Sequence, residues 1–431
     1  MDGDEVPMTR AGSRPPWDAV RAVAPPVAAW AATRAVLLLC VFKVLLLPGP
    51  DVTSDISGIY HGWFEVLRSG SFPHDDVTWQ YPPAAALAVL SPGLLPFLDY
   101  ASAFFLLACA ADAAAFSLFL YAGRRPGRRL TGAWVWTAGV ALLGPTAYSR
   151  YDLMVTAVAV AALFAAAGRP RVSGALVAFG ALLKVWPVLL LTGAPLRGRR
   201  ARSLWGAAAV GALAITLLLV AWAPGGLAFL TFQRDRGTEV ESLGALVFHL
   251  ARQFGWDGEV LLNYGSVEFV GPYVPLVSSL ALVLTAAAFG WLLLWRLRAR
   301  KFTSATLADA AFTALLLFVT TSRVISPQYM IWLVGTAAVC MTRRAGRMGL
   351  PAVLVLLAAG ATLLEFPIWF ADVVTSQGPG VALLAVRNGL LVAASLVACR
   401  RLWRSTVTGQ RRRGEDHPGA TAARQPNCSA T

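Results

Sequence analysis

Four short polar groupings interrupt a chain of 431 residues that is 57% hydrophobic. The first holds Asp51, Ser54, Asp55, Tyr60 and His61, directly after an apolar stretch. The second is Trp79-Gln80-Tyr81-Pro82-Pro83, and the third is Ser149-Arg150-Tyr151-Asp152. The fourth holds Ser322, Arg323, Ser326, Pro327, Gln328 and Tyr329, and Lys184 adds a lone cation inside an apolar run. Together they offer an acid in a long loop (Asp55), an acid at a helix mouth (Asp152), and the cations Arg150, Lys184 and Arg323. A carboxylate can take the proton of an attacking hydroxyl. Fixed cations stabilise charge that develops on a departing phosphate. If that phosphate hangs on a lipid, the cations must sit at membrane depth. A charge there costs at least ~2.5–3.5 kcal/mol by insertion scales, so it marks a functional candidate.

Each residue also has an ordinary reading. Asp55 also reads as a solvated loop acid, and Arg150 with Asp152 as a structural ion pair. Lys184 can snorkel to an interface, Arg323 can anchor a helix end, and a proline pair after Tyr81 commonly just breaks a helix. Asp75 and Asp76 are adjacent loop acids, a pattern that is usually solvated, so no metal is assigned. His61, His74 and His249 are isolated and carry no role. Asp112 lies within an apolar stretch and reads as a paired helix–helix contact.

Only 14% of the residues are charged, too few to cover a soluble domain of this size. Several apolar stretches reach the ~17–25 residues that cross a bilayer. The net charge of +14 comes from arginine clusters between those stretches, which is the positive-inside pattern and not a nucleic-acid footprint. Cys40, Cys109, Cys340 and Cys399 lie in apolar stretches and Cys428 in the tail, which supports neither a disulfide framework nor a zinc site. No cofactor is predicted.

The chain reads as an all-α polytopic membrane protein of about twelve spans. Residues 1–26 form a cytoplasmic lead-in, 27–399 the membrane domain, and 400–431 a basic cytoplasmic tail that is disordered. Two acidic loops, 48–80 and 224–271, face outward. The 82–98 stretch is interrupted by Pro82, Pro83, Pro92 and Pro96 and reads as juxtamembrane or re-entrant. Residues 173–195 are flanked by basic clusters at both ends. They read as a broken hairpin with Lys184 at its tip, since twelve residues of helix rise only ~18 Å against a ~30 Å core. The rival is one tilted span with a basic outer loop.

In this order the groupings resemble the GT-C superfamily, and more narrowly glycosyltransferase family 87, the actinobacterial polyprenyl-phosphate-mannose-dependent mannosyltransferases. The resemblance runs from Val36 to Val397. It rests on Ser54-Asp55-Ile56 with Tyr60 and Gly70, then Tyr81-Pro82-Pro83 and Arg150-Tyr151-Asp152. It continues through Gly174 and Gly180 to Lys184 and Pro187, and ends at Ser326-Pro327-Gln328-Tyr329 with Trp332. It implies a GT-C-like fold and inverting transfer of one sugar, mannose, from a polyprenyl-phosphate donor to a glycolipid or cell-envelope glycan. The reaction would take place on the extracytoplasmic face of the plasma membrane. Asp55 matches the family's base, and Arg150, Lys184 and Arg323 its phosphate-side cations. Tyr60, Tyr81, Asp152, Gln328 and Tyr329 would position substrate. Some relatives carry a histidine where this chain has Gln328. A lipid or sugar transporter, or a noncatalytic envelope-biosynthesis scaffold, are the competing classes. Broken helices at depth suit a transporter, but hydropathy shows no internal repeat. Oligomeric state is not legible.

Overall fold

The structure, a computed structural model, describes residues 16–223 and 225–408. The first residues of the lead-in and the tail beyond 408, with Cys428, lie outside the described residues. Sixteen α-helices are present among the described residues. They are α1 (Pro16–Val41), α2 (His61–Arg68), α3 (Ala85–Leu90), α4 (Tyr100–Gly123), α5 (Thr131–Leu143) and α6 (Asp152–Ala165). Next come α7 (Pro170–Leu183), α8 (Arg199–Trp222), α9 (Phe229–Asp235), α10 (Ala245–Arg252) and α11 (Val274–Arg298). The last are α12 (Thr306–Thr321), α13 (Tyr329–Met341), α14 (Gly349–Leu363), α15 (Phe370–Thr375) and α16 (Gly378–Thr406). The first helix therefore begins inside the expected lead-in and carries through Pro25 and Pro26.

Six helices are long and apolar enough to cross a membrane, namely those containing Arg21–Val41, Tyr100–Gly123, Arg199–Trp222, Val274–Arg298, Gly349–Ile368 and Gly378–Thr406. The molecule is a polytopic, mostly helical membrane protein. In α8 and α11 only 17% of the apolar window is buried, which leaves their side chains for lipid. By contrast α12 and α13, with 16 and 13 residues, are buried along nearly their whole length. Close approach needs small residues. A Cβ on Gly139 of α5 would strike Val334 of α13, and one on Gly335 of α13 would strike Thr156 of α6.

The arginine clusters gather at one end. There the Arg128 and Arg343 backbones pair in an antiparallel bridge, Lys301 N–H donates to the Thr406 carbonyl at 3.1 Å, and Arg296 donates to the Ala194 carbonyl at 2.5 Å. Helices α7 and α8 both start at this end, where Arg171, Arg199 and Arg202 lie together. They run parallel: a Cβ on Gly174 would collide with the Leu204 carbonyl, and Gly211 faces Ala178 further along. The chain between them therefore returns, through a tight turn over Trp186–Leu191. This is the broken hairpin, with Lys184 in extended conformation at its tip.

The opposite end departs from an all-α reading. The second acidic loop folds a three-stranded antiparallel sheet, with β1 (Thr238–Glu239), β2 (Glu259–Asn263) and β3 (Ser266–Val270) in the order β1-β3-β2. Its small apolar core unites Val240, Phe248 and Phe269 with Val373 of α15 and Leu384 of α16. Alternation of apolar and polar residues over Ser266–Val270 was the available signal. The 82–98 stretch forms a six-residue helix and a four-residue 3-10 turn, too short to span.

One buried ion pair ties the first helices together. Arg34 lies 2.6 Å from Asp112, and the two side chains are 2% and 0% exposed. The Asp112 carboxylate also accepts from Trp136 at 2.6 Å and Tyr148 at 2.7 Å. Every oxygen is therefore satisfied, as a charge at this depth requires.

Candidate functional site

The central helices are short. Helices α5, α6, α7, α12 and α13 have 13 to 16 residues, so each rises only ~20–24 Å, less than the ~30 Å hydrocarbon core. Running from the basic end, they stop inside the bundle. Their tips carry Arg150 and Asp152 (α5–α6), Lys184 (after α7), and Arg323, Gln328 and Tyr329 (α12–α13). The two acidic loops roof the space above. Polar backbone at depth is tolerated because these turns line a cavity.

That cavity has a volume of about 330 Å³, with Gln80, Tyr81, Lys184, Arg236, Arg323, Gln328 and Tyr329 among its lining residues. Lys184 Nζ lies 2.7 Å from Asp152 Oδ1. It sits 5.1 Å from the ring centres of Tyr81, Tyr151 and Trp332, and 5.7 Å from that of Tyr329. Such rings attract a desolvated cation through their electron-rich faces. The Trp332 indole donates to the same Asp152 oxygen at 2.6 Å, while Asp152 Oδ2 is buried without a partner. The ammonium is thus held in place while part of its charge still faces the cavity.

Arg150 does not pair with Asp152. Its Nη2 lies 2.5 Å from Asp55 Oδ2, and its Nη1 donates to the Ser149 carbonyl at 2.6 Å and the Val52 carbonyl at 3.3 Å. Burial opposes the Arg150 charge most strongly, but Asp55 together with Tyr60, Tyr81 and Asp152 outweighs it and raises the guanidinium above its ordinary value. Asp55 stands just before a π-helical turn, Ile56–Tyr60, a distortion that often accompanies functional sites. Its side chain is 35% exposed, and it does not line the 330 Å³ cavity. Tyr60 packs between the two regions, 6.2 Å from Tyr151 and 5.3 Å from Trp63 by ring centres. Burial pushes the Tyr60 phenol well above its usual pKa, and its hydroxyl is buried without a partner.

The neighbouring acids are structural. Asp51 accepts from Thr53 N–H at 2.8 Å and the Thr53 hydroxyl at 2.6 Å, and pairs with Lys43 at 2.8 Å. Asp76 accepts from Trp63 and from Thr78, closing the first loop. Among the described residues no group of three His, Cys, Asp or Glu side chains is placed to hold a metal.

Arg323 lines the cavity, but its guanidinium also latches the second loop. It donates to the carbonyls of Gln233 and of Arg234, the latter at 3.0 Å, and to Ser278 at 3.2 Å. Sequence reasoning missed the rest of this latch. Arg236 supplies a further cation to the cavity, held by Glu268 at 3.3 Å and Ser266 at 2.5 Å. The Glu239 carboxylate accepts from Ile325 N–H at 2.6 Å and the Ser326 hydroxyl at 2.9 Å. Arg387 of α16, fully buried, donates to the Ile325 carbonyl at 3.3 Å and the Glu241 carbonyl at 2.6 Å. A buried arginine in the apolar stretch 380–399 was the signal for Arg387. Arg236 and Glu239 sit in a polar loop, where nothing local sets them apart.

Short inner helices, long apolar outer helices and a cation-lined cavity beneath folded loops define a polytopic membrane protein. The sequence profile of glycosyltransferase family 87 matches residues 79–327, more than half of the chain, and the chain belongs to that family. It is a membrane glycosyltransferase. The matched stretch contains Tyr81, Arg150, Asp152, Lys184 and Arg323; it begins after Asp55 and Tyr60 and ends just before Gln328 and Tyr329. No curated protein and no solved structure matches this chain.

Proposed function

We propose that the enzyme moves one sugar, mannose, from a polyprenyl-phosphate donor to a hydroxyl of a glycolipid or envelope glycan, with inversion at the anomeric carbon. The observation that carries this is the convergence of Lys184, Arg236 and Arg323 on one cavity at the tips of short helices, with the Asp55–Arg150 pair beside it. The donor phosphate fits the cations at a depth its lipid tail can reach from the bilayer. By the positive-inside rule the arginine-rich end lies in the cytoplasm and the cavity opens to the other side of the plasma membrane.

In the transfer step the acceptor oxygen forms a bond to the anomeric carbon as the bond from that carbon to the phosphate oxygen breaks. Asp55 takes the acceptor proton, and the lipid phosphate leaves with the electron pair and charge that Lys184 and Arg323 stabilise. Arg150 holds the Asp55 carboxylate in place through their 2.5 Å ion pair. An arriving phosphate competes for that guanidinium and frees the carboxylate to act as base. Tyr81, Asp152, Gln328 and Tyr329 position the donor around Lys184, and Tyr60 packs against Tyr151 and Trp63 beside the base.

Purified protein in detergent, given radiolabelled polyprenyl-phosphate mannose and an actinobacterial lipid fraction, tests the proposal. Wild type should label a glycolipid, and Asp55→Asn should lose about 10²–10⁴ in rate, the share of a positioned general base. Transfer that survives in Asp55→Asn removes Asp55 as base. Failure of wild type with every polyprenyl-phosphate sugar and acceptor removes the donor class and favours a scaffold or transporter.

A further inference from the structure

At the basic end, far from the aromatic cavity, Arg128 and Arg343 oppose each other directly in the antiparallel bridge. Flanking bonds lock them there: Arg129 N–H donates to the Thr342 carbonyl at 3.0 Å and Arg344 N–H to the Gly127 carbonyl at 3.3 Å. Side chains so opposed start ~4.5–5.5 Å apart, and like charges at that spacing repel. Burial, and then the Arg128 charge, lowers the Arg343 pKa from its ordinary value, with Cys340 and Asp309 offsetting only part of the fall. Arg128 Nη1 and Arg343 Nε are both buried without a hydrogen-bond partner.

Both arginines line a cavity of about 550 Å³, together with Arg347, Thr303, Ser304 and Asp309. Asp309 is 6% exposed, and its Oδ1 is also buried without a partner. The first turn of the 16-residue helix α12 opens here as well, adding the partial positive charge of a helix N-terminus. Unmatched donors on two arginines thus share one space with an unmatched acceptor.

We propose that this cavity binds a phospholipid headgroup whose phosphodiester is joined to an amine or hydroxyl, as in a phosphoethanolamine headgroup. The phosphate relieves the Arg128–Arg343 repulsion through charge-assisted hydrogen bonds, and Asp309 accepts from the headgroup's own donor. Basic pockets between helix ends suit such headgroups, and the volume falls in the usual ligand range of ~300–1,000 Å³. The bound headgroup cross-links the 124–130 loop, the start of α12 and the 343–347 loop. The site stands whether or not the donor assignment above holds.

The test is thermal unfolding of the purified full chain in detergent with dioctanoyl phosphatidylethanolamine, inorganic phosphate or dioctanoylglycerol. The phospholipid should raise the melting temperature saturably, by roughly 5 °C at a hundredfold excess over its Kd, and dioctanoylglycerol should not. Arg343→Gln and Arg128→Gln should lose that shift while melting at or above wild type without ligand, since the repulsion is gone. Arg128→Gln carries the test alone if Arg343→Gln does not fold. An equal shift with inorganic phosphate supports the anion site and assigns it to free phosphate. No shift with either phosphate compound, an equal response to dioctanoylglycerol, or a wild-type shift in the folded variants overturns the proposal.

Discussion

Lys184 has two separable roles, neutralising Asp152 and facing the cavity, and substitution can divide them. The Lys184 and Asp152 side chains are 10% and 1% exposed and lie 2.7 Å apart. In Lys184→Met the apolar stem keeps its place among Tyr81, Tyr151, Tyr329 and Trp332. The carboxylate is left with only the Trp332 indole. Stranding one partner of a buried pair costs about 3–5 kcal/mol. Adding Asp152→Asn removes the stranded charge, and neutral replacement of both partners is often close to energetically neutral, so the double variant should regain most of the lost stability. Transfer should follow a different pattern. If Lys184 stabilises the departing phosphate, its loss lowers kcat by about 10²–10³, the effect of removing one preorganised stabilising group. That loss should persist in the double variant. Thermal unfolding in detergent and single-turnover transfer from the polyprenyl-phosphate sugar, run on the same preparations, read the two roles. A double variant that regains both stability and transfer refutes the phosphate role and leaves Lys184 as a counter-ion. A Lys184→Met protein as stable as wild type refutes the energetics of the buried pair.

Other residues make independent predictions. Asp112→Asn strands the buried Arg34 guanidinium and should cost about 3–5 kcal/mol, read by unfolding, with kcat per folded molecule unchanged. Glu239→Ala frees Ile325 and Ser326; donor KM should rise about tenfold, the equivalent of one charge-assisted hydrogen bond, with Glu239→Gln intermediate, and a fall in kcat alone would sink this positioning role. Burial lowers the His249 pKa against the Val240 carbonyl, which raises it. A depressed folded pKa means the contribution to stability is present above the unfolded value of about 6.5 and is lost as pH falls through the folded one. Burial raises Glu239 and Glu241, which gives the opposite slope. The His249 term is therefore read as the difference between wild type and His249→Gln in proteolysis of the second loop from pH 7 to 5; parallel profiles would count against it.

Much of the molecule was legible in sequence because membrane residence and charge asymmetry are one-dimensional properties. Apolar runs announced the membrane protein, and basic clusters at both ends of 173–195 favoured a chain that turns back at Lys184 over one tilted span. The ordered groupings identified the family on residues whose spacing the chain displays directly. Partner choice was not legible. Arg150 and Asp152 are two residues apart, yet each pairs with a distant residue, Asp55 and Lys184 respectively. Asp152 opens α6 and faces inward toward the hairpin tip, while Arg150 sits in the preceding turn and reaches the first loop.

The second loop shows the same division. Its acidic content follows from composition, but of its acids Glu239, Glu241 and Glu268 are buried. Glu239 fixes the α12–α13 tip, and Arg387 approaches the same tip from α16 at the far end of the sequence. A buried charge is stable only where its partners converge, and for Glu239 and Arg387 those partners come from segments more than sixty residues apart. Sequence alone pointed to the membrane glycosyltransferase that the family match shows, and displayed the acids and cations available to its site. Which acid meets which cation, and which charges line the cavity and which brace it, was decided only by the tertiary structure, because desolvated charges are matched through space and not along the chain.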